Sequence, residues 1–253
     1  MPTGAQGQRL LDLVKVMYRL RAPGGCPWDR EQTHRSLARH LLEEAHETLD
    51  AIDSDDPALL REELGDLLLQ VLFHSEIADE EGAFDIDDVA EGVTAKLIRR
   101  HPHVFGDVEV DSAAQVLVNW ERIKADEKGD RTLEHDIPST LPALARASKV
   151  QRRAAGVGFE WRTRDAAMAK VREELAELEG ASPERGEEEL GDVLFALAAL
   201  ARRLDVDPES ALRRATARFA ERFEKMKERA RQEGVQLDGL PEAELLARFR
   251  AAR

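Results

Sequence analysis

One cysteine, Cys26, stands among 253 residues, so no internal disulfide can form and the thiol is read as an ordinary loop residue. Tyrosine also occurs once and aromatics make up 5% of the chain, too few for a β-rich fold. All seven histidines lie before residue 136. A histidine-based centre could therefore serve only the first half. No long apolar run and no leader pattern is present, so the chain is expected to be cytoplasmic with no membrane partner. A net charge of −14 disfavours non-specific attraction to polyanions, and no nucleic-acid partner is expected. There is no Gly-rich phosphate loop, and no Ser/His/Asp or Cys/His set has workable spacing for covalent catalysis.

What the chain does have is acid in a pattern. Glu43-Glu44-Ala45-His46-Glu47 is followed by Glu63-Leu64-Gly65-Asp66, and Glu173-Glu174-Leu175-Ala176-Glu177 by Glu189-Leu190-Gly191-Asp192. Both motifs of each pair, EExxE and ExxD, lie in segments of helical apolar periodicity, where carboxylates three apart share a face. Glu174 and Glu177 fall on the margin of the stripe Val171, Leu175, Leu178; Glu189 and Asp192 fall on the margin of Leu190, Val193, Leu194, Leu197. If the two helices pack through these stripes, four carboxylates converge. Clustered negative charges repel unless a cation sits among them, and an all-oxygen set suits a hard divalent ion, Mg²⁺ or Mn²⁺. The plain alternative is a solvated acidic face. Repetition speaks against it, as does a mid-helix glycine, Gly65 and Gly191, in both copies. A helical glycine costs about 1 kcal/mol relative to alanine, which predicts a close approach to the backbone there.

Helices are expected over residues 10–20, 31–52, 57–79, 85–100 and 112–126, from 143 to the break at Gly156-Val157-Gly158, over 164–179, from Ser182-Pro183, over 208–233 and from 241 onward. Asp56-Pro57 and Asp207-Pro208 are read as an N-cap with proline at the first helical position. The pattern lapses between residues 127 and 142, the expected linker. The halves align beyond the acidic motifs: Lys15-Val16 with Lys149-Val150, Trp28 with Trp161, Glu43 with Glu173, Glu63 with Glu189, Arg100 with Arg222. The reading is an all-α tandem repeat of one helical bundle unit, residues 1–137 and 138–253.

A basic pair four apart follows each acidic set, Lys96 with Arg100 and Arg218 with Arg222, suited to an anionic group held by metal on its other side. Metal, carboxylates and cations on helices are the equipment for cutting a phosphoanhydride, a spare carboxylate orienting the water or taking its proton. Glu31 with His34, and Glu43 with His46, match the Glu-x-x-His pattern of di-iron bundles, but the second copy has no imidazole. Trp28 and Trp161 hold equivalent places where a ring could stack on a base or pack in the core. Trp120 is read as core.

These motifs, with Gly25-Cys26-Pro27-Trp28-Asp29, Arg100-His101-Pro102-His103-Val104-Phe105 and Val157-Gly158-Phe159-Glu160-Trp161, resemble the MazG nucleoside triphosphate pyrophosphohydrolases over nearly the whole chain. The resemblance implies an all-α homodimer that uses Mg²⁺ to hydrolyse a nucleoside triphosphate to monophosphate and pyrophosphate by attack at the α-phosphorus. It implies metal ligands Glu174, Glu177, Glu189 and Asp192, with Glu44, Glu47, Glu63 and Asp66 as first-copy counterparts, and catalysis in the second copy. It further implies that Lys170, Glu173 and Glu188 position the nucleotide and that Arg218 and Arg222 hold phosphates. Phe249 and Arg253 stand where relatives have Trp and Lys. Two alternatives remain: a nucleotide-binding regulatory or interaction protein without turnover, and hydrolysis of a phosphoribosylated nucleotide.

Overall fold

The computed structural model describes residues 7–128, 132–135 and 137–252, and every regular element among them is an α-helix. In order these are α1 (Gln8–Arg21), α2 (Pro27–Glu31), α3 (His34–Asp53), α4 (Pro57–Glu80), α5 (Ile86–Arg100), α6 (Pro102–Phe105), α7 (Ala113–Lys128), α8 (Ala143–Gly156), α9 (Arg164–Gly180), α10 (Gly186–Arg203), α11 (Pro208–Gln232) and α12 (Glu242–Ala251). They form two compact units, Met1–Asp126 and Glu127–Arg253. Part of the stretch expected as linker belongs to the second unit. Arg153 donates to the Leu133 carbonyl at 2.9 Å, and Arg146 pairs with Glu134 at 3.0 Å.

Side-chain caps open the helices α3, α4, α5, α9 and α11. Asp56 accepts from the Ala58 amide at 2.8 Å and Asp207 from the Ser210 amide at 2.8 Å, each ahead of a proline that needs no donor partner. Thr33 and Ser36 form a capping box, so α3 starts at His34 and the segment before it folds as the separate short helix α2. Ser182-Pro183 does not start a helix: residues 183–185 make a turn and α10 begins at Gly186 with no side-chain cap. Gly25 is required sterically, because a Cβ there would lie 2.2 Å from the Leu20 carbonyl oxygen.

In the first unit α3 packs on α4 and α1 lies along α4. Met17, Leu37, Leu72, Phe73 and Ile77 form the core, and a fully enclosed side chain such as Leu37 contributes about 2 kcal/mol. Arg21, itself buried, clamps α1 to α4 through two bonds to Glu80 at 2.7 and 2.9 Å, and to α2 by donating to the Asp29 carbonyl. In the second unit α9 packs on α10, α8 and α11 flank α10, and α12 rests on α11. Its core is leaner, Ala167, Val171, Ala196 and Leu200 with Trp161 and Met168 against them.

Candidate metal and nucleotide site

The seam between α9 and α10 is built on a heptad of small residues that also includes acid. On α9, Ala167, Val171 and Glu174 share the buried face; on α10, Glu189, Val193, Ala196 and Leu200 do. Glu174 is therefore 7% exposed and Glu189 1%, inside the seam and not at its margin. The leucines expected to make the packing stripe, Leu175, Leu190, Leu194 and Leu197, lie instead on the outer face. Oxygens of Glu174, Glu177 and Glu189 come within 4.8 Å of one another; Asp192 is exposed and outside that group.

Two buried carboxylates this close need counter-charge, and the chain supplies it. Lys170 reaches Glu174 at 2.7 Å and Glu173 at 2.6 Å, and these acids hold its ammonium well above the usual lysine range. Arg185 makes a short ion pair with Glu189 and reaches the exposed Glu188 at 3.5 Å.

The first unit gathers Glu44, Glu63 and Asp66 within 4.8 Å, but no cation among the described residues pairs with them. Leu59 stands where the second unit has Arg185, and His40, in place of Lys170, bonds Glu43 at 3.0 Å. Burial first, then repulsion from neighbouring acids, pushes the Glu44 and Glu63 carboxyls above their ordinary range. Glu63 Oε2 is buried without a donor, and Glu47, outside the trio, is among the acids that push the Glu63 carboxyl up. One acidic cluster is thus internally compensated, the other open to an added cation.

Among the described residues no histidine joins a group able to hold a metal. His34 instead meets His74, Nδ1 to Nδ1 at 2.7 Å with rings stacked, and His46 is exposed, so the di-iron pattern is not assembled. No atom of the described chain comes within 4 Å of a Cβ built on Gly65 or Gly191, so the predicted close approach does not occur within the chain.

Residues 32–105 match the MazG nucleotide pyrophosphohydrolase domain. The chain is 49% identical over 233 residues to the nucleoside triphosphate pyrophosphohydrolase/pyrophosphatase MazG of Thermotoga maritima, covering 91% of this chain and 90% of that one. It is 43% identical over 238 residues to the nucleoside triphosphate pyrophosphohydrolase of Escherichia coli K12, covering 90% of each. The chain belongs to the MazG family.

The domain match spans the uncompensated acidic pair, whereas the whole-chain MazG relatives cover both units. Of the residues that the MazG resemblance assigns to the nucleotide, Lys170, Glu173 and Glu188 sit at the second cluster. Arg218 is exposed, as is Lys96 in the first unit, while Arg100 lies over Trp120 at 5.5 Å. Arg222 is otherwise engaged: it donates to the Phe249 carbonyl at 2.6 Å and the Arg250 carbonyl at 2.8 Å, with its guanidinium 4.3 Å from the Phe249 ring. Phe249 also packs 4.9 Å from Phe219, so both residues expected to contact nucleotide hold α12 on α11. Arg253 lies outside the described residues. Trp161 is half-buried against the second core, and Trp28, 53% exposed, stands edge-on to Phe73 at 6.5 Å. Sequence reasoning missed Arg185. Its signal was available, four residues before Glu189 on the same helical face, in the spacing that lets Lys170 reach Glu174.

Proposed function

We propose that this MazG-family chain hydrolyses nucleoside triphosphates to nucleoside monophosphate and pyrophosphate, water attacking the α-phosphorus. The supporting observation is the convergence of carboxylate oxygens within 4.8 Å across two packed helices in each unit, in a chain whose relatives are named for that reaction. The donor set fits a hard divalent cation, Mg²⁺ or Mn²⁺: all ligands are carboxylates, and Glu63 Oε2 is a buried acceptor with no donor. The proposed ligands are Glu174, Glu177, Glu189 and Asp192 in the second unit and Glu44, Glu47, Glu63 and Asp66 in the first. When bound, such an ion supplies charge neutralisation at phosphate oxygens and acidifies water.

The nucleotide is assigned to the second unit because cations stand ready there. Lys170 and Arg185 release Glu174 and Glu189 and turn to the incoming phosphates, an exchange of one anion for another. Glu173 steers Lys170, and Glu188 steers Arg185. A carboxylate of the acidic set that the ion leaves free orients the attacking water and takes its proton. Arg218 is a further phosphate contact. The setting is the cytoplasm; no helix of the described residues is long and apolar enough to cross a membrane. The assembly is a homodimer, supported by Leu190 and Leu194, 49% and 45% exposed beside the open backbone of Gly191.

A panel of nucleoside triphosphates assayed for pyrophosphate release with Mg²⁺ tests the reaction. Release from at least one triphosphate, abolished by chelation, is the expected result; metal-dependent binding of the whole panel with no product removes the proposal.

A further inference from the structure

A cavity of about 150 Å³ opens in the second unit between α8, α10 and residues 159–161, and the corresponding positions of the first unit include the buried core residues Met17 and Phe73. The correspondence that pairs Lys15-Val16 with Lys149-Val150 sets Met17 against Gln151, and the one that pairs Glu63 with Glu189 sets Phe73 against Ala199. In the first unit Met17 and Phe73 are 2% and 4% exposed in one cluster, with Trp28 edge-on to the Phe73 ring. In the second unit a methyl group replaces that ring and an amide replaces the thioether. Trp161, the counterpart of Trp28, lines the space left behind.

The lining is largely apolar, and Gln151, one of its residues, carries an unused acceptor. Gln151 is 7% exposed, and its Nε2 donates to the Phe195 carbonyl at 2.7 Å, which fixes which end of the amide is oxygen. Oε1 is buried with no donor among the described residues. Glu160, Arg202 and Arg203 also border the cavity; the single Glu160 carboxylate pairs with both arginines, which leaves a net positive charge at that wall. Gln151 Oε1 is the acceptor left without a donor, and a donor on a ligand would fill it.

Size narrows the class. A cavity of this volume holds one benzene ring. We propose that the cavity of the second unit receives a six-membered heteroaromatic ring that donates an N–H to Gln151 Oε1, a pyrimidine base. The choice of a base over other small rings rests on the proposed nucleotide chemistry; the ring size and the donor do not. Phe195 follows Glu189 by six residues, about 9 Å along α10, so the base of a triphosphate held at the acidic cluster and a free base are both possible sources.

Calorimetry on the full chain with uracil, cytosine and adenine tests this, beside the variants Ala199→Phe and Gln151→Met, which install the first unit's own residues. The expected result is one site per chain for a pyrimidine, with adenine weaker, and a loss of about tenfold or more in either variant. Circular dichroism melts check folding, and Gln151→Met carries the test if Ala199→Phe does not fold. A non-hydrolysable uridine triphosphate analogue with Mg²⁺ separates the sources. Equal weakening of the analogue in the variants places the substrate's own base in the cavity; unchanged analogue binding with loss of the free base makes it a separate site. If neither the free pyrimidines nor the analogue distinguishes the wild type from the variants, the proposal is overturned. These readouts are independent of turnover, so a failure of pyrophosphate release would strike the proposed reaction and leave this question answered.

Discussion

Glu189, 1% exposed, and its partner Arg185, with 60% of its side chain exposed, describe the second site at the scale of single residues. A carboxylate that deep needs counter-charge at hand to offset its lost hydration. Replacing it with an isosteric amide, Glu189→Gln, keeps the shape and removes the charge that would hold a cation, so pyrophosphate release should fall by about 100-fold or more with little change in melting temperature. Arg185→Ala should do the reverse to stability: it leaves Glu189 unpaired and costs about 1–2 kcal/mol, and Mn²⁺ should raise the melting temperature of this variant more than that of the wild type. A thermal melt with and without Mn²⁺ reads both effects. In the first unit His74 is held below the usual histidine range by burial and by neighbouring His34. The folded state therefore disfavours its protonation; the stability is present above the ordinary imidazole pKa and is lost as pH falls through the lowered one. Urea midpoints should drop on acidification from neutral pH, and His74→Leu should flatten that slope.

Each helix of an acidic pair presents the same residue types but at different depths along its axis. Glu189 lies in the first turn of α10 with Glu187 and Glu188, where unpaired amides and the helix dipole favour negative charge. Glu63 lies two turns into α4, beyond that field, and no cation among the described residues pairs with it. Burial first, then the neighbouring acids Glu47 and Asp66, push the Glu63 carboxyl up, whereas Lys170 and Arg185 stand against the acids of the second cluster. The helices α11 and α12 give a separate test. Arg222 bonds two carbonyls at the end of α12, so Arg222→Ala should free that helix, seen as faster hydrogen exchange over residues 242–251. Unchanged exchange with a raised KM would instead return Arg222 to the phosphates.

For the whole molecule, the outer faces of α9 and α10 carry Leu175, Leu190, Leu194 and Leu197, each more than 40% exposed. These exposed leucines are the surface on which the proposed dimer would form. Leu194→Asp should shift the protein from dimer to monomer in sedimentation velocity, and a monomeric wild type would remove the dimer from the proposal. The units also differ in how they fill their cores, with Phe73 and Met17 in one and Ala199 and Gln151 in the other.

The sequence by itself determined the helices and the meeting of acids across two of them, because periodicity, Asp-Pro caps and motif spacing are local properties of the chain. Glu174 with Glu189, and Glu44 with Glu63, were legible for that reason. Only the tertiary structure decided which face of α9 and α10 turns inward, since Val171 and Leu175 are equally apolar and alanines at 167 and 196 let the helices close on the acidic side. It also decided that Arg222 bonds the carbonyls at the end of α12. A charged side chain's partner is set by what packing brings within reach, and the chain pattern shows that only when both lie on one helix.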